Sequence, residues 1–382
     1  CNNNLVKKFT ISFYMIQNKK NHLIKLFDPY ISKEEAKATT KVIQSKFWAS
    51  GSGTNNVKKF EDSFLKYTKS KNCIAVNSGT AALHLALSLF NIENKEVLVP
   101  SLTFVTTVNS ILYNKGKPIF VDVDSKNLCI DIIDIKKKIT KKTGAIIIVD
   151  FAGMPTNIKE IKKIANKNRI PVIEDAAHSA GAMYNGKRIG SHVDAVCFSF
   201  HPVKNLAMPT GGAICINDKN AKKSKKNLQS LRWCGIENRK NFQYDIKRLG
   251  WNYYMNEISA AIGLVQLKKL DFANKKRRNI AKKYSLKLKM KNKMPYSDNC
   301  VYHFYWIRVK NREKFMKKMY EKGIETGIHY NPVHKMSLYK SKIKLPITEQ
   351  VANQIVSIPT HPNLTNSEVD KIIHTVNDLY DC

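Results

Sequence analysis

The chain has 382 residues, 43% hydrophobic and 25% charged, the make-up of a globular protein long enough for two domains. No apolar run approaches the ~20 residues that a membrane-spanning helix needs. The net charge is +35, but the excess is mostly lysine spread along the chain, and no zinc-finger spacing, RNP-type aromatic pattern or basic zipper accompanies it. Beside abundant Asn and Ile, the charge reads as the mix an AT-rich coding sequence produces. It can help to attract an anionic small substrate. Nucleic acid is not an expected partner, and neither is a membrane.

The N-terminal stretch "LVKKFTISFYMIQNKK" is broken by lysines and polar residues and carries no cleavage pattern, so it is not read as a signal peptide. Residues 1–23 are expected to be an extension, with Met15 as a candidate start. The cysteines at 1, 73, 129, 197, 215, 234, 300 and 382 form no C-x-x-C pair. Several lie in apolar runs, which predicts reduced thiols in a cytoplasmic protein.

The first motif is "NSGTAALHLAL" (77–87), where Gly and small hydroxyl residues precede an apolar helix. A helix N-terminus offers unpaired N–H groups and a positive dipole end, which suits a phosphate. Ser78 or Thr80 fits a plain N-cap equally well. Strands are then predicted at 96–100, 118–123, 145–149, 170–175, 195–200 and 212–216, all rich in Val and Ile. Amphipathic helices are predicted between them at 81–90, 102–113 and 157–168. Strand and helix in alternation predict an α/β fold with a mostly parallel central sheet flanked by helices. A long helix at 255–284 leads to a smaller α+β C-terminal domain, with a strand at 302–309 and helices near 311–322 and 367–380. The expected domains are 24–270 and 271–382.

In "VIEDAAHSAG" (172–181), Asp175 falls at the end of a buried strand, where open α/β sheets place ligand groups. A carboxylate there needs a partner, either a protonated ring nitrogen or the N–H groups of a helix start. His178 is placed to orient it or to contact a cofactor. Lys204 follows the next strand, in "FSFHPVKN" (198–205). The 29-residue gap from Asp175 leaves room for one loop and one strand, so both can reach the same sheet edge. A lysine buried there has a lowered amine pKa and suits Schiff-base chemistry. Ser199 can donate to a phosphate.

Taken together with "PSLTFVTTVNSIL", "FAGMP", "LGWNYYMNEISAAIGLVQL" and "GIETGIHYNPVH", these pieces resemble the DegT/DnrJ/EryC1/StrS family of sugar aminotransferases, which depend on pyridoxal 5'-phosphate (PLP). The resemblance runs from about residue 24 to the C-terminus. It implies the fold type I, aspartate aminotransferase-like architecture, with a large PLP-binding domain. It implies that Lys204 is the Schiff-base lysine and that Asp175 pairs with the pyridine nitrogen. Phe104 matches the aromatic that stacks on the ring. Gly79, Thr80 and Ser199 match phosphate contacts, and His178 the second residue of an Asp-x-x-His pattern. Asn252 matches an asparagine that reaches the neighbouring subunit's cofactor, which implies a homodimer with composite sites. His329 and Tyr330 match a substrate-side segment. No metal is implied.

The implied reaction moves an amino group from an amino acid, L-glutamate, to a keto group of a nucleotide-linked sugar, in a setting of polysaccharide biosynthesis. A dehydratase of the same family carries histidine where Lys204 stands, and a cysteine desulfurase needs a catalytic-loop cysteine that is not recognisable here. A non-enzymatic regulatory or nucleic-acid-binding protein would use only the charge. Three positions depart from the family pattern. "MPTGG" (208–212) replaces a run with an acidic residue, Tyr254 replaces an arginine, and Asp150–Phe151 stand where a histidine is common.

Overall fold

The structure, a computed structural model, describes residues 23–339 and 341–380. The expected extension up to residue 22, with Met15, lies outside the described residues. Helices α1 (Lys33–Gln44) and α2 (Asn55–Thr68) lead into β1 (Asn72–Val76), α3 (Gly79–Leu87), β2 (Glu96–Pro100) and α4 (Val105–Tyr113). Next come β3 (Lys117–Val121), α5 (Ile132–Lys138), β4 (Thr143–Val149), α6 (Ile158–Asn168) and β5 (Val172–Asp175). The small hairpin β6 (Met183–Tyr184) and β7 (Lys187–Arg188) precedes β8 (Ala195–Ser199), β9 (Gly212–Ile216) and α7 (Ala221–Leu231). A second hairpin, β10 (Ile236–Lys240) and β11 (Gln243–Ile246), leads to the long helix α8 (Glu257–Lys287). The chain closes with β12 (Tyr305–Arg308), α9 (Arg312–Glu321), α10 (Pro346–Gln354), β13 (Ile355–Ile358) and α11 (Asn366–Tyr380).

Among the described residues the main sheet has seven strands in the order β1-β9-β8-β5-β4-β2-β3. Only β9 runs against the rest. The strands are continuous apolar runs because helices cover both faces. Ile146, Ile148 and Val196 point into one core, while Ile147, Ile173 and Cys197 point into the other. Strand β1, "NCIAV", was not among the predicted strands. It holds the sheet edge through antiparallel pairing with β9.

Helix α8 starts at an Asn256 cap, whose Oδ1 accepts from Ser259 N–H at 2.7 Å, and packs against α1 and α2. The expected boundary at 270/271 falls inside this continuous helix. A third core gathers β12, β13, α9 and α11 around Trp306, Phe315 and Ile372. The strand predicted at 302–309 is confined to Tyr305–Arg308. Ahead of it, Val301 and His303 N–H groups donate to Gly153 and Ala152 carbonyls (3.2 and 2.9 Å), so this stretch binds a turn instead of a strand. The six described cysteines are free, five of them buried. Among the described residues no helix is long and apolar enough to cross a membrane.

The register brings the motifs together. Asp175 pairs with Cys197, Ser199 with Gly212, and Val76 with Gly212. The ends of β5, β8 and β1 and the start of β9 therefore share one edge. Below β1, a buried ion pair fixes this part of the sheet. Glu61 on α2 accepts from Arg232 Nη1 (2.5 Å) and Ala75 N–H (2.9 Å), and Arg232 also donates to Ala75 O (2.8 Å). Glu61→Ala leaves the guanidinium buried and unpaired, so it is expected to destabilise the fold by about 3–5 kcal/mol. Urea unfolding of the two proteins measures that difference.

Candidate active site

A cavity of about 330 Å³ opens at the shared edge. Its floor carries Val149 and Asp175 from the ends of β4 and β5, and Cys197 of β8, which pairs with Asp175. One wall is the first turn of α3, with Ser78, Gly79 and Thr80. Ser78 caps this helix, its Oγ accepting from Ala81 N–H at 3.1 Å. The first N–H groups of a helix have no acceptor within it, so those of Gly79 and Thr80 are available to an anion. The cap uses Ser78 and leaves the next two residues to the cavity.

Close approach makes two glycines necessary. A Cβ on Gly212 would lie 2.4 Å from Ser78 O, and one on Gly79 would lie 2.7 Å from Ser199 Cβ. Ser199, Thr210 and Gly211 complete this end. Thr210 Oγ1 donates to Asn77 O. The departing "MPTGG" run thus forms cavity wall, whereas Asp150 lies outside it. Asp150 is buried and accepts from Ser179 Oγ (2.7 Å) and Thr156 N–H (2.9 Å).

Asp175 is buried, and desolvation pushes its carboxyl above the ordinary value. Three groups oppose that shift: Thr107 Oγ1 donates at 2.7 Å, Ala177 N–H donates at 3.1 Å, and the Lys204 charge attracts. Among the described residues no ion pair joins this carboxylate. Lys204 sits on the turn after β8, its N–H donating to His201 O at 2.8 Å. Burial lowers its ammonium pKa to about 8, against the pull of Asp175. A substantial neutral fraction at mild pH makes the amine a nucleophile.

Phe104 caps α4 and stays 54% exposed, its ring 5.9 Å from that of Tyr330. Opposite lies a group of rings. Tyr330 Oη bonds His178 Nε2 at 3.0 Å, and His178 stacks on His303 at 4.6 Å. His329 Nδ1 bonds Ser357 Oγ at 2.8 Å. Burial holds His178 and His303 well below the ordinary imidazole value and takes His329 to about 3. All three imidazoles are therefore neutral at physiological pH.

Gly79, Thr80, Phe104, Asp175, His178, Ser199, Lys204, His329 and Tyr330 all line this one cavity. Asn252 does not. It is exposed, and its carbonyl accepts from Asn77 Nδ2 at 3.3 Å. Two residues were missed in the sequence. Thr107 stands one helical turn after Phe104, a spacing that put its hydroxyl within reach of the same face. His303 carries no such signal, since 99 residues separate it from Lys204.

These residues fit PLP. The glycine-walled helix start suits the phosphate, the buried carboxylate without an ion pair suits a protonated ring nitrogen, and the lysine suits the aldehyde. Thr107→Val removes one donor from the charged form of Asp175, so the carboxyl pKa rises further. The acid limb of cofactor binding is expected to move up by about one pH unit. Absorbance titrations with PLP between pH 4 and 9 measure it.

The family model described as "DegT/DnrJ/EryC1/StrS aminotransferase family" matches residues 29–377. GDP-perosamine synthase of Escherichia coli O157:H7 is 33% identical over 365 residues, covering 94% of this chain and 98% of that protein. Helicobacter pylori PseC, an aminotransferase of pseudoaminic acid biosynthesis, superposes with a TM-score of 0.87 at 27% identity, over 94% of this chain and 99% of its own. The PLP form of Streptococcus pneumoniae Spr1654 superposes with a TM-score of 0.89 at 25% identity, over 94% and 99%. The same protein is also solved in a PMP form.

Proposed function

The chain belongs to the DegT/DnrJ/EryC1/StrS family and is a PLP-dependent sugar aminotransferase, and from that premise we propose that it transfers the amino group of L-glutamate to a keto group of a nucleotide-linked sugar. The observation that carries this reading is the meeting of Asp175, Lys204 and the α3 N-terminus in one cavity. The name of the E. coli relative, which carries GDP, supports a nucleotide-linked acceptor.

Bound PLP supplies an electron sink that lets a bond at the amino-bearing carbon break. The chain's own residues do the rest. The N–H groups of Gly79 and Thr80 and the Ser199 hydroxyl would hold the phosphate. Asp175 keeps the ring nitrogen protonated, with Thr107 and Ala177 holding the carboxylate in place. Phe104 and His178, both in the cavity lining, would contact the cofactor ring. Lys204 Nζ, with its lowered pKa, would be the residue to hold the cofactor aldehyde and, when free, to take and return a proton at the amino-bearing carbon. His329 and Tyr330 face the substrate. Asn252, which is exposed, would reach a second subunit's phosphate in a homodimer.

The purified protein is expected to be yellow and to release 2-oxoglutarate from glutamate in the presence of nucleotide-4-keto or 3-keto sugars. Lys204→Ala is expected to abolish the covalent link and to slow turnover by at least ~10²-fold. A K204A protein that keeps both colour and turnover overturns the assignment.

A further inference from the structure

His303 lines the cavity, far along the chain from the motifs that carry Gly79, Asp175 and Lys204. Its N–H is tied to Ala152 O at 2.9 Å, and Arg277 Nη1 donates to its carbonyl at 3.3 Å. The imidazole is buried between Phe27 (5.1 Å, 21°) and His178 (4.6 Å, 29°). Nε2 lies 3.4 Å from Lys204 Nζ, and Nδ1 has no partner among the described residues. Lys204 makes no ion pair with Asp175 among the described residues, and its amine's hydrogen-bond contact is with this ring nitrogen.

The donor count constrains this contact. An ammonium donates only, and a neutral imidazole has one donor and one acceptor nitrogen. When Lys204 is charged, Nε2 must accept and Nδ1 carries the ring proton. When Lys204 is neutral, the ring can take the other tautomer and donate from Nε2. A hydrogen bond from a charged donor outweighs one between neutral groups. The contact therefore favours the ammonium.

We propose that His303 is a positioning residue for the free Lys204 amine: it accepts a hydrogen bond from the ammonium, holds that nitrogen at the histidine side of the cavity, and sets the pH at which it turns neutral. The proposal rests on Lys204 being the lysine that bears the cofactor. The other titratable groups around the pair are Asp175, His178, His201, Arg277, His329 and Tyr330. Among the described residues none of them hydrogen-bonds or ion-pairs with Nζ in its place. The arrangement serves a lysine that must leave the cofactor, carry a proton and return.

The test follows attachment of PLP to the cofactor-free, full-length chain from pH 6 to 10. Amine and aldehyde condense with loss of water, borohydride reduces the C=N bond, and peptide mass spectrometry quantifies the product at Lys204. The rate is expected to rise with the neutral fraction of the amine, with a wild-type midpoint at about 8. His303→Leu removes the acceptor, so the ammonium is disfavoured and the midpoint falls by about one unit. His303→Gln, whose amide oxygen reaches the place of Nε2, is expected to keep the wild-type midpoint. His303→Asn, whose oxygen reaches only the place of Nδ1, is expected to follow the leucine variant. Should the leucine protein fail to fold, the difference between Gln and Asn decides. Equal midpoints in all variants, or a Gln midpoint that moves with Asn, overturn the proposal. A wild type that attaches no PLP at Lys204 overturns the cofactor-lysine reading as well, a result distinct from attachment with an unmoved midpoint.

Discussion

A buried carboxylate at the end of β5 is the constraint around which the site is built. Taking an ionised group out of water is costly unless hydrogen bonds and a counter-charge replace the solvent. Asp175 receives two hydrogen bonds, from Thr107 Oγ1 and Ala177 N–H, and its pKa is still raised. The protein thus holds an acceptor that is incomplete by itself. A proton-bearing ring nitrogen would complete it, which is why this carboxylate and PLP suit one another.

The strand arrangement makes that possible. Parallel strands deliver their C-terminal ends to one edge, and each end passes into a loop free to carry chemistry. The reversed strand β9 adds the opposite kind of end, a strand start with two glycines, beside the helix cap of α3. Gly212 and Ser78 touch so closely that no side chain fits between them. The helix start and the strand ends that carry Asp175 and lead to Lys204 are thereby placed by backbone pairing, and such rigidity is what orientation in catalysis requires.

The electrostatics of the cavity differ sharply from those of the whole chain. The net charge is +35, yet the cavity holds one lysine and one aspartate, with neutral imidazoles around them. Burial and the Lys204 charge both push His178, His303 and His329 toward neutrality. Neutral rings can accept as well as donate, so they can hold the lysine in either charge state. A cationic cluster could not, because like charges would expel the amine's proton.

The sequence by itself determined the local parts: the apolar strands of the sheet, the helix start at "NSGT", the strand-end Asp175 and the post-strand Lys204. Each is written in a short window, where periodicity and neighbouring residues decide the outcome. Strand β1 escaped because five residues on a sheet edge carry little periodic signal. The 302–309 segment misled because its apolar run describes burial, and tertiary contacts with Ala152 and Gly153 turned its first half away from a ladder. Only the tertiary structure decided that Thr107 supports Asp175 and that His303 meets Lys204. Those contacts join residues 68 and 99 positions apart. They depend on how helices and loops pack across the sheet edge, and no local spacing encodes that.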